Sequence, residues 1–313
     1  MSANQKTPKV TVALPVYNGE NYLQEAIDSV LTQSFADFEL ILRDNASNDR
    51  TAAICLAAAR SDSRVRYIRN ESNVGAGPNF NGLVELARGR YFKWLAHDDV
   101  MAPGFLAACV ETLDADPSAV LACPRVRFLD PQGAPLDEYV SPYRTDAHDR
   151  VTRFSEMLKG GHRCFEVFGL IRLNDLRLTK LIGNYNNGDG VLLAHLALLG
   201  RLAVIPEALF MSRKHPQSSM YVFRVVDPHS KPDHEGYANW FDPRNKVGFS
   251  KSLTRASADL FSMIRGTRMT WRERVGSCSA YLRWLRANWR GIGGEWKRGV
   301  YRSIGLNVDL QSR

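Results

Sequence analysis

The sequence predicts an α/β fold, a mostly parallel sheet flanked by helices, with a helical, basic C-terminal extension. Two observations predict the sheet, and a third marks the basic extension. Short apolar, β-branched runs alternate with helical patterns through the first 130 residues. The run VTVALPVY is apolar and β-branched, as expected of a strand covered on both faces. Residues 244–313 hold 15 basic and 4 acidic residues interleaved with Trp, whereas residues 1–243 hold 26 and 29. That last asymmetry speaks to partners rather than to fold.

In order along the chain, residues 10–17 read as a buried strand. Residues 21–33 place Leu23, Ile27, Val30 and Leu31 on one helical face. Residues 38–44 form a second strand, and Ser47, Asn48 and Asp49 offer caps to a helix over 51–60. A third strand covers 64–70, and a helix with Pro in its first turn covers 78–88. Residues 91–99 read as a fourth strand ending in acid, 103–116 as a helix and 119–130 as another strand. The polar stretch 131–150 reads as a loop or linker. Residues 164–173 read as a strand, 188–200 as a helix ended by Gly200, and 201–215 as a strand pair or bent strand. Residues 216–246 look irregular, and 247–303 look like two or three helices. The expected organisation is one domain over 1–243, divided into halves at 8–130 and 131–243, followed by an extension over 244–313.

The 313 residues are 44% hydrophobic and 24% charged, a globular balance. No apolar run approaches the ~20 residues of a membrane-spanning helix. The first nine residues do not read as a signal peptide. Five cysteines without a CxxC pair suit small buried residues in a reducing compartment, and no structural zinc is expected. The expected location is cytoplasmic, attached at most peripherally to the inner face of the membrane. No nucleic-acid motif accompanies the basic charge.

In an open sheet of this kind, ligands bind outside the carboxyl ends of the strands. That rule directs attention to Asn18, to Asp44–Asn45, to Arg69–Asn70 and to His97–Asp98–Asp99. Four polar clusters on one rim make a site more plausible than any one alone.

The blocks VTVALPVYNGENYLQEAIDSVLTQSFADFELILRDNASNDRT and NESNVGAGPNFNGLVELARGRYFKWLAHDD resemble the family-2-type bacterial glycosyltransferases. The resemblance is strong over about residues 8–130, weaker over 160–220 and absent from the tail. It implies a GT-A, Rossmann-like fold and inverting transfer of a sugar from a nucleotide-sugar donor.

Site residues follow from the same resemblance. Asp99 is the implied metal ligand for Mn²⁺ or Mg²⁺, and Asp98 contacts the ribose or assists at the metal. A hard divalent cation held by carboxylate and diphosphate offsets the charge of the leaving group. His97 stands where the family often has Asp, and it is either a ligand or a neighbour. Pro15, Tyr17 and Asn18 lie beside the nucleotide. Asp44 accepts from a base imide N–H, which suits UDP or dTDP without separating them. Arg69 lies near the donor phosphates. Asn73 and Gly75 open an N-x-G-x-x-x-N-x-x-G pattern that runs through Asn79 and Gly82. Asp189, at the start of the 188–200 helix, is the implied catalytic base, although the Glu that commonly precedes it is absent. A helix cap is compatible with that role. In Arg213–Lys214–His215, Arg213 approaches the phosphate charge and His215 the metal. The remaining histidines (His148, His162, His195, His229 and His234) read as structural.

The expected function is transfer of a hexose or deoxyhexose from UDP- or dTDP-sugar to a hydroxyl of a cell-surface glycan or lipid-linked acceptor. A sugar nucleotidyltransferase is disfavoured because the turn after the first strand, PVYNGEN, lacks Lys and Arg. A non-catalytic nucleotide-sugar-binding protein is the third class. The Arg- and Trp-rich tail over 244–313 suits an anionic membrane surface, a partner or oligomer interface, or packing on the domain itself.

Overall fold

Strand β1 (Val10–Val16) is buried along its whole length, so it has to lie inside the sheet. In the computed structural model, which describes residues 7–223, 233–244 and 251–303, it does. After β1 come α1 (Leu23–Leu31), β2 (Phe38–Asp44), α2 (Thr51–Ser61), β3 (Val65–Arg69), α3 (Ala76–Leu86), β4 (Tyr91–Trp94), β5 (Val100–Met101), α4 (Phe105–Ala115) and β6 (Ala119–Leu129). The second half adds β7 (Pro135–Tyr139), α5 (Arg150–Met157), a 3₁₀ turn (Phe165–Phe168), β8 (Leu170–Arg172), α6 (Leu173–Arg177), α7 (Gly188–Leu199) and β9 (Arg201–Arg213). Helices α8 (Ser219–Val222), α9 (His234–Phe241), α10 (Ser252–Gly266) and α11 (Trp271–Ser303) complete the described chain.

The sheet order is β3-β2-β1-β4-β8-β6-β9-β5, with β7 beside β6. The pairings among β3, β2, β1 and β4 are parallel, as expected. The second half is mixed: β8 runs antiparallel to β4 and β6, β9 runs parallel to β6, and β5 runs antiparallel to β9. Pro15 is tolerated in the central β1 for a local reason. Ala13 turns its carbonyl to β4 and accepts from Leu95 N–H, and Pro15, two residues on, faces the same side. The β1–β4 pairing has ended at Ala13↔Trp94, so the missing proline N–H costs no ladder bond.

Several element expectations are corrected. β4 stops at Trp94, and His97–Asp99 lie in the turn that follows. The apolar stretch 164–173 splits into a 3₁₀ turn and a three-residue strand. The polar stretch 131–150 carries the exposed strand β7. Residues 201–213 form one strand whose register against β6 shifts around Pro124–Val126. Ser47 and Asn48 do not cap α2; Asp49 accepts from Thr51 N–H instead.

Two apolar clusters sandwich the sheet. One joins β1 and β2 to α1, α2 and α4 through Leu14, Ile27, Cys55 and Leu106. The other joins α3, α5 and α7 to α10 through Leu83, Phe154, Leu193, Leu260 and Ile264. The C-terminal helices thus share a core with α7. Four cysteines are buried, all five are free, and burial pushes the Cys55 and Cys109 thiols up to about 12. His229, in the irregular stretch, and residues 304–313 of the tail lie outside the described residues.

Candidate active site

At the carboxyl ends of β1, β2 and β3 the centre is Asp44, which is fully buried. Its Oδ1 accepts from Ser47 N–H (2.8 Å), and its Oδ2 accepts from the Tyr67 hydroxyl (3.0 Å) and the Arg69 guanidinium (2.6 Å). Arg69, about half exposed, also donates to the Ser47 carbonyl (2.7 Å). Asn18, at φ 49°, donates its N–H to Ser47 Oγ (2.9 Å) and accepts from Asn48 N–H (3.0 Å). The expectation that Asp44 greets a base directly meets an obstacle. Three protein donors already occupy a carboxylate sealed from solvent. Tyr17, Asn18 and Arg69 form the open surface, and Pro15 lies buried beneath them.

Beside it stands an amide network. Asn45 donates to Asn73 Oδ1 (2.8 Å) and the Gly75 carbonyl (3.2 Å), and accepts from Asn70 Nδ2 (2.9 Å) and Val74 N–H (3.0 Å). Asn73 Oδ1 also accepts from Gly75 N–H (2.9 Å), and Asn79 Nδ2 donates to the Arg43 carbonyl (3.2 Å). Gly75 has φ 89°, and a Cβ there would lie 2.6 Å from the Phe241 carbonyl. Asn73 and Gly75 therefore shape a tight loop that α9 covers. A Cβ on Gly82 would strike the Arg43 guanidinium, which explains the glycine without a ligand.

At the turn after β4, Asp98 Oδ2 lies 2.9 Å from His215 Nε2. His215 leans on the Tyr22 ring (centroids 4.8 Å apart) and holds Gln217 Oε1 at 3.2 Å from Nδ1. Asp99 turns the other way. It is buried and its Oδ1 accepts from Arg213 N–H (3.1 Å), tying the turn to β9. Burial, then the charge of Asp98, raise the Asp99 pKa. Burial also works against the Asp98 charge, yet His97 and the bond from His215 hold its carboxyl below the usual range. The same bond raises the His215 pKa. His97 packs on Gly19, whose Cβ would lie 2.6 Å from its ring.

Arg213, expected near the donor phosphate, is engaged by protein groups. Its guanidinium is buried and donates to the Asp98 and Asp130 carbonyls (3.2 and 3.4 Å) and to Glu25 (2.5 Å), while lying over the Tyr22 ring. Those contacts make it a brace that joins β9 to α1.

Asp189 sits half-buried in the first turn of α7, after Asn187 at φ 63°. Its Oδ1 accepts from Gly190 N–H (2.8 Å). Burial raises its pKa, and the charge of Glu166 adds to that. Tyr237 of α9 senses the same carboxylate, and burial with Asp189 pushes its phenol above the ordinary range. α9 continues into Asp242, which accepts from Asn184 Nδ2 (2.8 Å). One segment thus touches both the Gly75 loop and the approach to α7. Among the described residues, no hydrogen bond or ring contact joins Asp189 to the Asp98–His215 pair.

Tyr22, Glu25, Asn45, Tyr67 and Tyr237 shape the site and carried no motif of their own. Only the clustering of Asn45 and Asn70 at strand ends signalled part of this set.

Comparison with known proteins bears on family and fold. The model of glycosyl transferase family 2 matches residues 11–170. A glycosyltransferase of Rickettsia prowazekii (strain Madrid E) is 40% identical over 103 residues, 33% of this chain and 31% of that one. EpsJ of Bacillus subtilis (strain 168), also named a glycosyltransferase, is 29% identical over 157 residues, 50% of this chain and 44% of that one. The alignment with the Rickettsia relative therefore spans about a third of that protein's length. Among solved structures, S. aureus TarS 1–349 in complex with UDP-GlcNAc has a TM-score of 0.64 at 15% identity, over 97% of this chain and 77% of that one. The mannosyltransferase PcManGT from Pyrobaculum calidifontis, in complex with GDP-Man and Mn²⁺, has a TM-score of 0.50 at 15% identity, over 95% and 88%. These two share the fold, as the GT-A expectation required. With its strand-end motifs and a family match over half its length, the chain belongs to glycosyl transferase family 2.

Proposed function

We propose that the protein transfers a hexose or deoxyhexose from a UDP- or dTDP-sugar to a hydroxyl of a cell-surface glycan or lipid-linked acceptor, with inversion and with Mn²⁺ or Mg²⁺. The observation that carries this is the approach of Asp98 Oδ2 and His215 Nε2 to 2.9 Å on the rim of the sheet. Neighbouring ligands on an octahedral ion with bonds of about 2.1 Å stand roughly 3 Å apart, so the pair fits a shared divalent cation. Carboxylate with imidazole also suits Mn²⁺ chemically. This reading gives the metal to Asp98 and His215, and it gives Asp99 the brace to Arg213. Once bound, the cation offsets the charge of the departing diphosphate.

The protein groups do the rest. Tyr17, Asn18 and Arg69 offer the base and ribose a surface, and Asp44 fixes Arg69 in place. The Asn45 network holds the Asn73–Gly75 loop at the donor. Asp189 takes the acceptor proton, and its raised pKa brings a carboxylate closer to the operating pH of a general base. Nucleotide-sugar complexes of both structural neighbours support this class of donor, UDP-GlcNAc for TarS and GDP-Man for PcManGT.

The extension over 244–313 belongs to this reading, and its described helices α10 and α11 pack on α7 and α5. The α11 positions Trp271, Val275, Leu282, Trp289 and Trp296 are each at least 58% exposed. At 100° per residue they share one face. Arg272, Arg283, Arg286, Arg290 and Lys297 lie on the same helix. Such a face suits an anionic membrane surface. Among the described residues, no helix is long and apolar enough to cross a membrane.

The deciding experiment measures transfer and donor hydrolysis across UDP-, dTDP- and GDP-sugars, with and without Mn²⁺. Metal-dependent turnover of a UDP- or dTDP-sugar is the expected result. Binding without turnover across acceptors would instead indicate a nucleotide-sugar-binding protein.

A further inference from the structure

A cavity of about 620 Å³ lies between α7, α10 and the segment Leu178–Tyr185, apart from every residue placed in the donor and metal sites. Its size is that of a small-molecule site. Leu178, Leu181, Leu192, Leu199 and Met263 give it apolar walls. One end is different. There Arg150 donates to the Arg268 carbonyl (2.9 Å), which brings the two basic residues together. Thr267, next to Arg268 in the chain and also in the lining, is buried, and its Oγ1 has no hydrogen-bond partner. Arg150 Nε is also buried and unpartnered. Its NH1 reaches Glu273 at 3.4 Å, which leaves Nε unserved.

We propose that this cavity binds a single-chain anionic amphiphile, an alkyl or prenyl phosphate, with its chain along the leucines and its phosphate between Arg150, Thr267 and Arg268. Buried donors without acceptors are costly, and phosphate oxygens are strong acceptors. The other polar groups of the lining do not compete for the anion. Lys180 is matched by Asp259 at 2.5 Å, and Asp259 also accepts from the Tyr185 hydroxyl (2.7 Å). Burial and the charge of Lys180 push the His195 imidazole down to about 4, so it is neutral at pH 7 and suits the apolar wall. His195 read as structural from sequence, and this lining gives it a context. Tyr185, Val191 and Leu192 flank the first turns of α7, so an occupant would press on the helix that carries Asp189.

The test is calorimetric titration of the full chain with dodecyl phosphate below its micelle-forming concentration, in parallel with inorganic phosphate and dodecyl maltoside. The expected result is saturable one-to-one binding of dodecyl phosphate alone. Arg268→Glu should weaken it by about tenfold or more. Ser262→Trp, which adds bulk at an exposed position in the lining, should abolish it. Leu136→Glu on the exposed strand β7 should leave it unchanged. Equal binding of inorganic phosphate or dodecyl maltoside overturns the proposal, as does wild-type binding by Arg268→Glu or the absence of saturable binding. The readout is binding, so it stands or falls independently of sugar transfer.

Discussion

His215 Nε2 stands 2.9 Å from Asp98 Oδ2, although 117 residues separate them in sequence. β9 makes the meeting possible by pairing with β5, the strand directly after the acidic turn. Asp98→Asn and His215→Ala should each reduce transfer on the order of 100-fold. Both should raise the Mn²⁺ concentration needed for half-maximal activity. Asp99→Asn should act mainly on thermal stability, because Asp99 braces Arg213. A metal titration of the three variants separates these roles, and unchanged Mn²⁺ dependence in Asp98→Asn would remove it from the metal.

Asp189 gives a pH signature. Burial raises its pKa, so the carboxylate is lost as pH falls through a value above the ordinary carboxylate range. The acid limb of kcat should therefore lie above that range. Asp189→Asn should lower kcat by about 10²–10⁴-fold and leave donor affinity intact. A variant that keeps wild-type kcat would exclude Asp189 as the base.

Gly75→Ala probes the contact with α9. The residue has φ 89°, and the added Cβ would come within 2.6 Å of the Phe241 carbonyl. Backbone strain of this kind costs about 1–3 kcal/mol. A melting temperature lowered by several degrees and weaker donor binding are expected, read by thermal denaturation with and without nucleotide. A melting temperature equal to wild type would show that α9 does not press on this loop.

Glu39 should dominate acid sensitivity at the far end of the sheet. It is buried, and burial works to raise its pKa. Bonds from Arg88 (2.7 and 2.9 Å), Thr11 (2.8 Å) and Arg66 (3.1 Å) outweigh that and hold it below the usual value. A carboxyl lowered by folding adds stability above its unfolded pKa, and that stability is lost as pH falls through the folded value. Glu39→Gln should cost about 2 kcal/mol at pH 7. The gap from wild type should close below the ordinary carboxylate pKa. A gap that stays constant as pH falls, until the fold itself is lost in chemical denaturation, would contradict the ion-pair account.

The parallel half of the fold was legible because β1, β2 and β4 are buried on both faces. β2 falls on its expected boundaries because Phe38–Leu42 is wholly inside. β7 was invisible because an exposed edge strand carries no apolar signal. The 3₁₀ turn at Phe165–Phe168 was hidden in an apolar run that reads equally well as strand. Within the candidate site, motif resemblance pointed to His215 and to the acidic turn. It did not reveal that Arg213 would spend its donors on Glu25 and backbone carbonyls, or that Tyr67 and Arg69 would seal Asp44. Those outcomes depend on residues 23 to 188 positions away, which no local pattern encodes.

The family match ends at residue 170, whereas His215 follows a strand that begins at Arg201. Register carries that histidine back: Val100 opposes Met211 and Met101 opposes Phe210. A chimaera that grafts a foreign second half onto residues 1–170 must therefore reproduce this alignment. A graft out of step by one residue would turn the imidazole to the opposite face of the sheet. Exchange of second halves between relatives is thus limited less by sequence similarity than by the phase of a two-residue strand.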